Sequence, residues 1–306
     1  MFIKQKHRLL ALTALSVLGL VLFPWFAQAI TNGSNALNMT GQVDGSGNAV
    51  YGRGWASNNL DNKGLNFGNL NLVSSSVATL NGDVAVDGIS HRLYVADLQN
   101  NRVLVFNLDS NDTLAGTDRQ ADFVLGQPDF TTLSSTTTLS IFGSPPTGLA
   151  VDPVNNRLYV SLVNSIYVFD ISTIVNGEAS VNILGANSGT TQNQLSKAAG
   201  LCVSSNRLFA ADHDNNRIMI FDVTAITDSE NAVNVLGQVN FTSSSSGTTA
   251  TTLNKPTDVT CDANRLFVAD YQNHRVLYYD ISSISNGQAA AGVLGQAGFT
   301  SALSGD

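Results

Sequence analysis

The chain is short of the residues that catalysis and metal binding draw on. Its 306 residues include two cysteines, four histidines and 15 Lys+Arg, and charged residues are only 12% of the total. Of the 23 Asp+Glu, only Glu178 and Glu230 are Glu. Two thiols are not a disulfide framework. A formal net charge of −8 argues against nucleic acid as a partner, because phosphate binding needs a basic footprint. There is no G-x-S-x-G elbow and no phosphate-cradling loop. After Phe23 no run is long and apolar enough to cross a bilayer. What is abundant instead is Gly, Ser, Thr and Asn, which suits many short strands joined by turns and gives little support to helices.

The first residues form a separate unit. Lys4, Lys6 and Arg8 make a positive start, Leu9 to Phe23 an apolar run, and Ala27-Gln28-Ala29 a small-residue cleavage site. That is the layout of a secretory signal peptide over residues 1–29, with an uncleaved anchor as the alternative. Cleavage takes the net charge from −8 to −11. The expectation is a protein secreted, periplasmic or at the cell surface, with no membrane contact once the leader is gone.

The rest repeats. Asp83–Phe106, Gly148–Phe169, Gly200–Phe221 and Asp258–Tyr279 are copies of one pattern, as "DVTCDANRLFVADYQNHRVLYY" is in the fourth. Each is followed by a second mark, "FVLGQ", "NILGA", "NVLGQ" or "GVLGQ", whose glycines Gly126, Gly185, Gly237 and Gly295 lie 59, 52 and 58 residues apart. Every unit reads as four strands: A ("GLAVD"), B ("RLYVAD"), C ("RVLVF") and D ("VLGQ"). The runs are apolar at nearly every position, so both faces are expected to be covered. Four-stranded sheets covered on both faces and repeated at this period predict an all-β fold, a β-propeller of antiparallel blades.

The stretches "VADYQNHRVLYYD" and "VADLQNNRVLVFN" resemble NHL repeats, although the last signature position is Arg275, Arg102 or Arg217 and not Leu. The resemblance covers all four units and implies a ring that is usually six-bladed. "NALNMTGQ" (Asn35–Gln42) looks like a further D strand ahead of the first A strand, which makes five D strands against four A–B–C sets. The expected organisation is a leader (1–29), a closing strand with a Gly/Asn-rich insertion (30–82), and blades at 83–127, 148–186, 200–238 and 258–296. At least one A–B–C set is expected after Asp306, the alternative being a complete small propeller that uses the strand at 35–42 differently. In the insertion, Asp44–Asn48 has part of the oxygen set of a calcium loop. It lacks most of the ligands and reads as a solvated turn, so no cofactor is expected.

Antiparallel order puts A–B and C–D turns at one end and B–C and D–A loops at the other. The second end carries Ser/Thr tracts at 131–140 and 241–252 and is the candidate binding face. Its candidate residues are Asp97, Asn101 and Arg102; Asp212, His213, Asn216 and Arg217; and Asp270, Tyr271, His274 and Arg275. Recurrence gives the same residues a structural reading: Asp caps the turn, Asn takes the left-handed conformation, and Arg pairs with Asp. Blade 2 departs, with a B–C loop two residues shorter that lacks both Asp and Arg. Arg92, Arg157, Arg207 and Arg265 open strand B, and each is expected to pair with the Asp closing its own strand A, as Asp87, Asp152 and Asp262 do; blade 3 has Ser204 there.

A zinc site needs three or four ligands brought together, and His91 lies at the end opposite His213 and His274. Glu178 and Glu230 fall in C–D loops at the rim. Cys202 and Cys261 are one step out of register, so they sit on opposite faces of neighbouring blades, either facing each other or apart. Two buried free thiols are the default expectation and a disulfide the alternative. The function expected is a non-catalytic, monomeric binding scaffold for a protein, peptide or glycan. The alternative is a metal-dependent hydrolase or lyase, as the lactonase-like and amidating-lyase-like propellers imply, its site completed by blades beyond these four.

Overall fold

A computed structural model describes residues 83–114, 120–185 and 187–304. The leader, the 35–42 strand, the insertion and its 44–48 turn lie outside the described residues. The chain is an all-β propeller of four-stranded antiparallel sheets, each sheet one unit of the repeat. Blade 1 is β1 (Val84–Asp87), β2 (Arg92–Asp97), β3 (Arg102–Asn107) and β4 (Phe123–Leu125). Blade 2 is β5 (Gly148–Asp152), β6 (Arg157–Leu162), β7 (Ser165–Asp170) and β8 (Asn182–Leu184). Blade 3 is β9 (Ala198–Ser204), β10 (Arg207–Asp212), β11 (Arg217–Asp222) and β12 (Asn234–Leu236). Blade 4 is β13 (Pro256–Cys261), β14 (Arg265–Asp270), β15 (Arg275–Asp280) and β16 (Gly292–Leu294). The A strands β1, β5, β9 and β13 neighbour one another in that order and form the inner wall.

Strands A, B and C fall where the β-branched and aromatic runs lie. Strand D is shorter than its sequence mark suggests. It stops before the mark glycine, because Gly126, Gly185, Gly237 and Gly295 take φ of 82, 79, 81 and 84°. Only glycine holds that conformation without strain. At Gly126 a Cβ would also overlap the Phe142 ring, which packs over the end of the strand.

Each sheet has one face toward the following blade and one toward the preceding blade, and the core lies in the seams. Blades 1 and 2 close on Tyr94, Val103, Val105, Leu158, Val160, Tyr167 and Phe169. Tyr159, Val168, Leu208, Met219 and Phe221 fill the next seam. Phe209, Ile218, Ile220, Leu266, Leu277 and Tyr279 fill the third. At about 1.5–3 kcal/mol for each large apolar side chain buried, these seams outweigh any polar contact between blades. Blades 2 and 3 are covered on both faces, as the continuous apolar runs imply. In blade 4 burial alternates along β14 and β15, so one face is sealed and the other open.

Polar bonds fix the seam geometry. Arg92 and Arg157 do not pair with Asp87 and Asp152. Each guanidinium reaches the next blade, donating to the carbonyl of Ile171 (2.6 Å) and of Val223 respectively. Asp87 and Asp152 accept backbone N–H groups of their own A–B turns. Arg265 alone shows the expected pairing, to Asp262 at 3.0 Å, and Arg207 stacks over Phe209. In blades 1 to 3 the outer N–H of the D strand is held by the next blade's C–D loop. Val124 donates to Asn176 (3.0 Å), Ile183 to Asp228 (2.9 Å) and Val235 to Asn286 (3.0 Å).

The cysteines correct the default expectation of free thiols. Cys202 faces blade 4 and Cys261 faces blade 3, and they form a disulfide with Cα atoms 6.0 Å apart. The register difference seen in sequence thus brings the two side chains toward one another. The bridge spans 59 residues, for which chain entropy alone gives about 4 kcal/mol. Replacing both cysteines by alanine is expected to lower unfolding stability by up to that amount, read from denaturant midpoints, and reductant is expected to leave the double variant unchanged.

Candidate binding face

Three of the four B–C connections are single 3₁₀ turns: Leu98–Asn100, His213–Asn215 and Tyr271–Asn273. Each is closed by a left-handed residue, Asn101, Asn216 or His274, with φ of 50, 54 and 51°. Asn tolerates this region better than most residues, and in blade 4 His274 takes the same place.

Under each turn lies a buried ion pair. Arg102 Nε donates to Asp97 at 2.7 Å, Arg217 to Asp212 at 2.6 Å and Arg275 to Asp270 at 2.7 Å, with no side-chain exposure on either partner. The third residue of each turn joins in: Asn100, Asn215 and Asn273 donate to the same carboxylates. The guanidinium then reaches outward. Arg217 donates to the carbonyls of Thr190 and Gln194, in the spacer entering blade 3, and to that of Phe241, in the spacer leaving it. Arg275 does the same with Thr249, Thr252 and Phe299, and Arg102 with Phe130. The other oxygen of Asp212 accepts Ser196 N–H, and that of Asp270 accepts Asn254 N–H. Burial pushes the Asp270 carboxyl above the usual range, opposed by these donors and by Arg275.

The structure therefore separates the eleven candidate residues. Asp97, Arg102, Asp212, Arg217, Asp270 and Arg275 lie beneath the face and shape it from below. His213 and Asn216 are also buried. His213 Nδ1 bonds Asp214 at 2.8 Å, and burial lowers its pKa, which keeps the ring neutral near pH 7. Tyr271 (48% exposed) and His274 face solvent, and Asn101 is half-buried. The short blade 2 loop pairs Leu162 with Ser165 and presents exposed Val163.

The spacers are fixed by side chains of their own. Gln127, Gln238 and Gln296, the last letters of the D marks, donate to the B–C turn carbonyls of Asn101, Asn216 and His274. They also donate to spacer carbonyls of Ser134, Ser245 and Leu303. Asp129 accepts from the N–H and hydroxyl of Thr131 and Thr132, which hold its carboxyl at about 2.

Two carboxylates that the sequence reading passed over stand at the mouth of the inner wall. Asp83 and Asp258 precede β1 and lie in β13, where blades 2 and 3 have Gly148 and Gly200. Burial raises both, and the charge of Asp83 raises Asp258 further. The Asp/Gly/Gly/Asp alternation was visible in the A strands, but nothing local marked it. Among the described residues no three His, Cys, Asp or Glu side chains gather as a metal site, and no helix is long and apolar enough to cross a membrane.

No family model and no curated protein matches the chain. Among solved structures it is similar to one from a nidogen/laminin complex, at 18% identity and a TM-score of 0.46, over 72% of this chain and 66% of that one. It is similar to the WD40 repeats of RRP9 at 8% identity and a TM-score of 0.44, over 68% and 51%. It is also similar to a computationally designed protein, Ika8, at 12% and 0.42, over 72% and 51%. The chain spans about half the length of the last two.

Two outcomes are expected. Arg217→Met strands a buried carboxylate and costs about 3–5 kcal/mol, whereas His274→Asn, which restores the residue of blades 1 and 3, stays within about 0.5 kcal/mol; urea unfolding measures both. For Asp129, the depressed pKa means its stabilising bonds are complete above the ordinary value of 3.8 and are lost as pH falls toward about 2. The Thr131 and Thr132 amide shifts are expected to hold at pH 3 and move only below it.

Proposed function

We propose that the protein is an exported NHL-like propeller that binds a protein, peptide or glycan through the face formed by its B–C turns and D–A spacers, without catalysis. The observation that carries this is where the charges of that face go. Three carboxylate–guanidinium pairs are spent below the surface on holding turns and spacers. What remains outside is an aromatic ring, an imidazole, the apolar tip at Val163, a field of Ser and Thr hydroxyls, the Asp129 carboxylate and a single Lys255–Asp214 pair (2.7 Å). A rigid support carrying such groups suits adaptable hydrogen bonding around an aromatic anchor. The leader supports export, and the Cys202–Cys261 bridge fits an oxidising compartment.

The alternative, a metal-dependent hydrolase, has one observation in its favour: Asp83 and Asp258 at the mouth are close enough for one charge to act on the other. Calorimetry with calcium separates the readings. Panning the purified protein against peptide display and glycan arrays is expected to return ligands whose affinity falls at least about tenfold in Tyr271→Ala/His274→Ala, with the unfolding midpoint unchanged. Ligands insensitive to that pair and to spacer substitutions, or calcium-dependent ester hydrolysis lost in Asp83→Asn, would refute the binding-face reading.

A further inference from the structure

The B–C turn of blade 3 carries two residues that its sister turns lack. Blade 1 has Leu98-Gln99 and blade 4 Tyr271-Gln272 where blade 3 has His213-Asp214. Leu98 is 8% exposed and His213 3%. A seat that takes an aliphatic side chain in blade 1 therefore holds an imidazole in blade 3.

Only one nitrogen of that ring is satisfied. Nδ1 lies 2.8 Å from Asp214 Oδ1. An ionised carboxylate only accepts, so the proton of the neutral ring sits on Nδ1 and Nε2 is left as a lone pair. Nε2 is buried and has no partner. A neutral ring leaves one acceptor unmet there. A protonated ring would place a charge and a new N–H donor where nothing accepts it.

The charged groups around the ring come from three elements. Asp214 belongs to its own turn, Lys197 to the spacer entering blade 3 and Lys255 to the spacer entering blade 4. After the leader the chain has three lysines, Lys63, Lys197 and Lys255, and two of them act on this imidazole. Burial is the largest influence and lowers the His213 pKa; Asp214 opposes it, and both lysines add to the lowering.

The same turn holds the way into blade 4. Lys255 donates its backbone N–H to Asn216 Oδ1 at 2.8 Å and its Nζ to Asp214 Oδ1 at 2.7 Å. Asn216 closes the turn, its own N–H bonded to the His213 carbonyl at 3.2 Å. The N–H groups of His213 and Asp214 are held by the carbonyls of Lys197 (3.3 Å) and Ser196 (3.0 Å). Spacer, turn and next spacer form one series of contacts with His213 in its middle.

We propose that this turn is an acid-sensitive latch: protonation of His213 drives its ring out of the buried seat and loosens the hold on the Lys255 segment that leads into blade 4. The proton is added at Nε2, and the imidazolium gains hydration only by leaving the seat. Leaving gives up the bond to Asp214 and shifts the turn that Asn216 closes, so both Lys255 contacts weaken together. The Cys202–Cys261 bridge still joins the A strands of the same two blades, which confines the change to the loop face. The latch concerns how the turn is held and does not depend on what the face binds. The seated ring contributes its full stability above the ordinary histidine value of 6.5. Below that value the unfolded chain takes up a proton that the seated ring resists, so stability falls as pH drops from 6.5 toward the lower folded value.

An NMR titration of the full chain tests this. His213 is expected to titrate below 6.5, with the Asn216 and Lys255 amide resonances moving at the same midpoint. In native-state hydrogen exchange, corrected for the intrinsic effect of pH, Lys255 N–H is expected to lose about tenfold in protection per pH unit below that midpoint, the slope of a one-proton linkage. Asn101 N–H, in the blade 1 turn, is expected to hold. His213→Leu, which puts the blade 1 residue in the seat, is expected to abolish the Lys255 response and reduce the fall of the urea midpoint in acid. Titration of His213 at or above 6.5, Lys255 protection that changes no more than that of Asn101, or a Lys255 response that persists in His213→Leu would each overturn the proposal. The first two are read on the unaltered chain and decide the matter even where His213→Leu folds poorly.

Discussion

A guanidinium with no exposed surface joins three stretches of chain in blade 3. Arg217 takes the carboxylate that ends strand B, the spacer that enters the blade and the spacer that leaves it. Removing a carboxylate and a guanidinium from water carries a desolvation penalty of several kcal/mol per ion, and mutual attraction repays it only when every donor and lone pair is matched. Here they are matched: Nε and both terminal nitrogens donate, and Asp212 accepts from arginine, Asn215 and Ser196. The pair's return is position more than energy. Long Ser/Thr-rich spacers have little apolar surface with which to pack, and this contact fixes where they run.

The same contact explains why the loop face holds its shape while its sequence varies. The spacers differ in length between blades, yet Phe130, Phe241 and Phe299 each give a backbone carbonyl to the arginine of their own blade. A carbonyl is available from any residue, so the spacer can change its side chains without losing the anchor. The charge that recurs in blades 1, 3 and 4 lies below and the varied hydroxyls above. Blade 2 has neither Asp nor Arg in its turn, and its loop shortens to a tight hairpin pairing Leu162 with Ser165.

Much of this was legible in the residues. The strand pattern, the repeat, the left-handed turn position and the Asp–Arg pairing all follow from local spacing, because each partner lies within five residues of the other. What was not legible depends on the neighbour. Arg92 and Arg157 have an acceptor of matching charge in their own hairpin, and sequence favours it; the structure sends them across the seam to Ile171 and Val223. Both oxygens of Asp152 are taken by Asn155, while Asp87 gives one oxygen to its A–B turn and keeps the other buried without a partner, so what draws both arginines across is the next blade's carbonyl, which would otherwise be buried without a donor. Register placed Cys202 and Cys261 on opposite faces, but whether those faces meet depends on the order of blades around the axis, which no single strand encodes. Of the proposed face, the sequence named the pairs that build it and could not tell them from the residues that cover it, since burial of a loop is set by spacers tens of residues away.

Arg265 shows how strongly a seam determines what its residues do. It opens strand B as Arg92 and Arg157 do, and its backbone pairing with Asp280 matches theirs with Asn107 and Asp170. The A–B turn before it is shorter, with Asp262 three residues ahead of Arg265 where Asp87 and Asp152 lie five ahead of Arg92 and Arg157. Arg92 and Arg157 take a carbonyl of the next blade, Arg207 lies over the Phe209 ring, and Arg265, 60% exposed, settles on Asp262. An exposed pair of this kind contributes at most about 1 kcal/mol, so it yields readily to a better acceptor. One position of the repeat thus does three jobs: it spans the seam in blades 1 and 2, covers a ring in blade 3 and closes its own hairpin in blade 4.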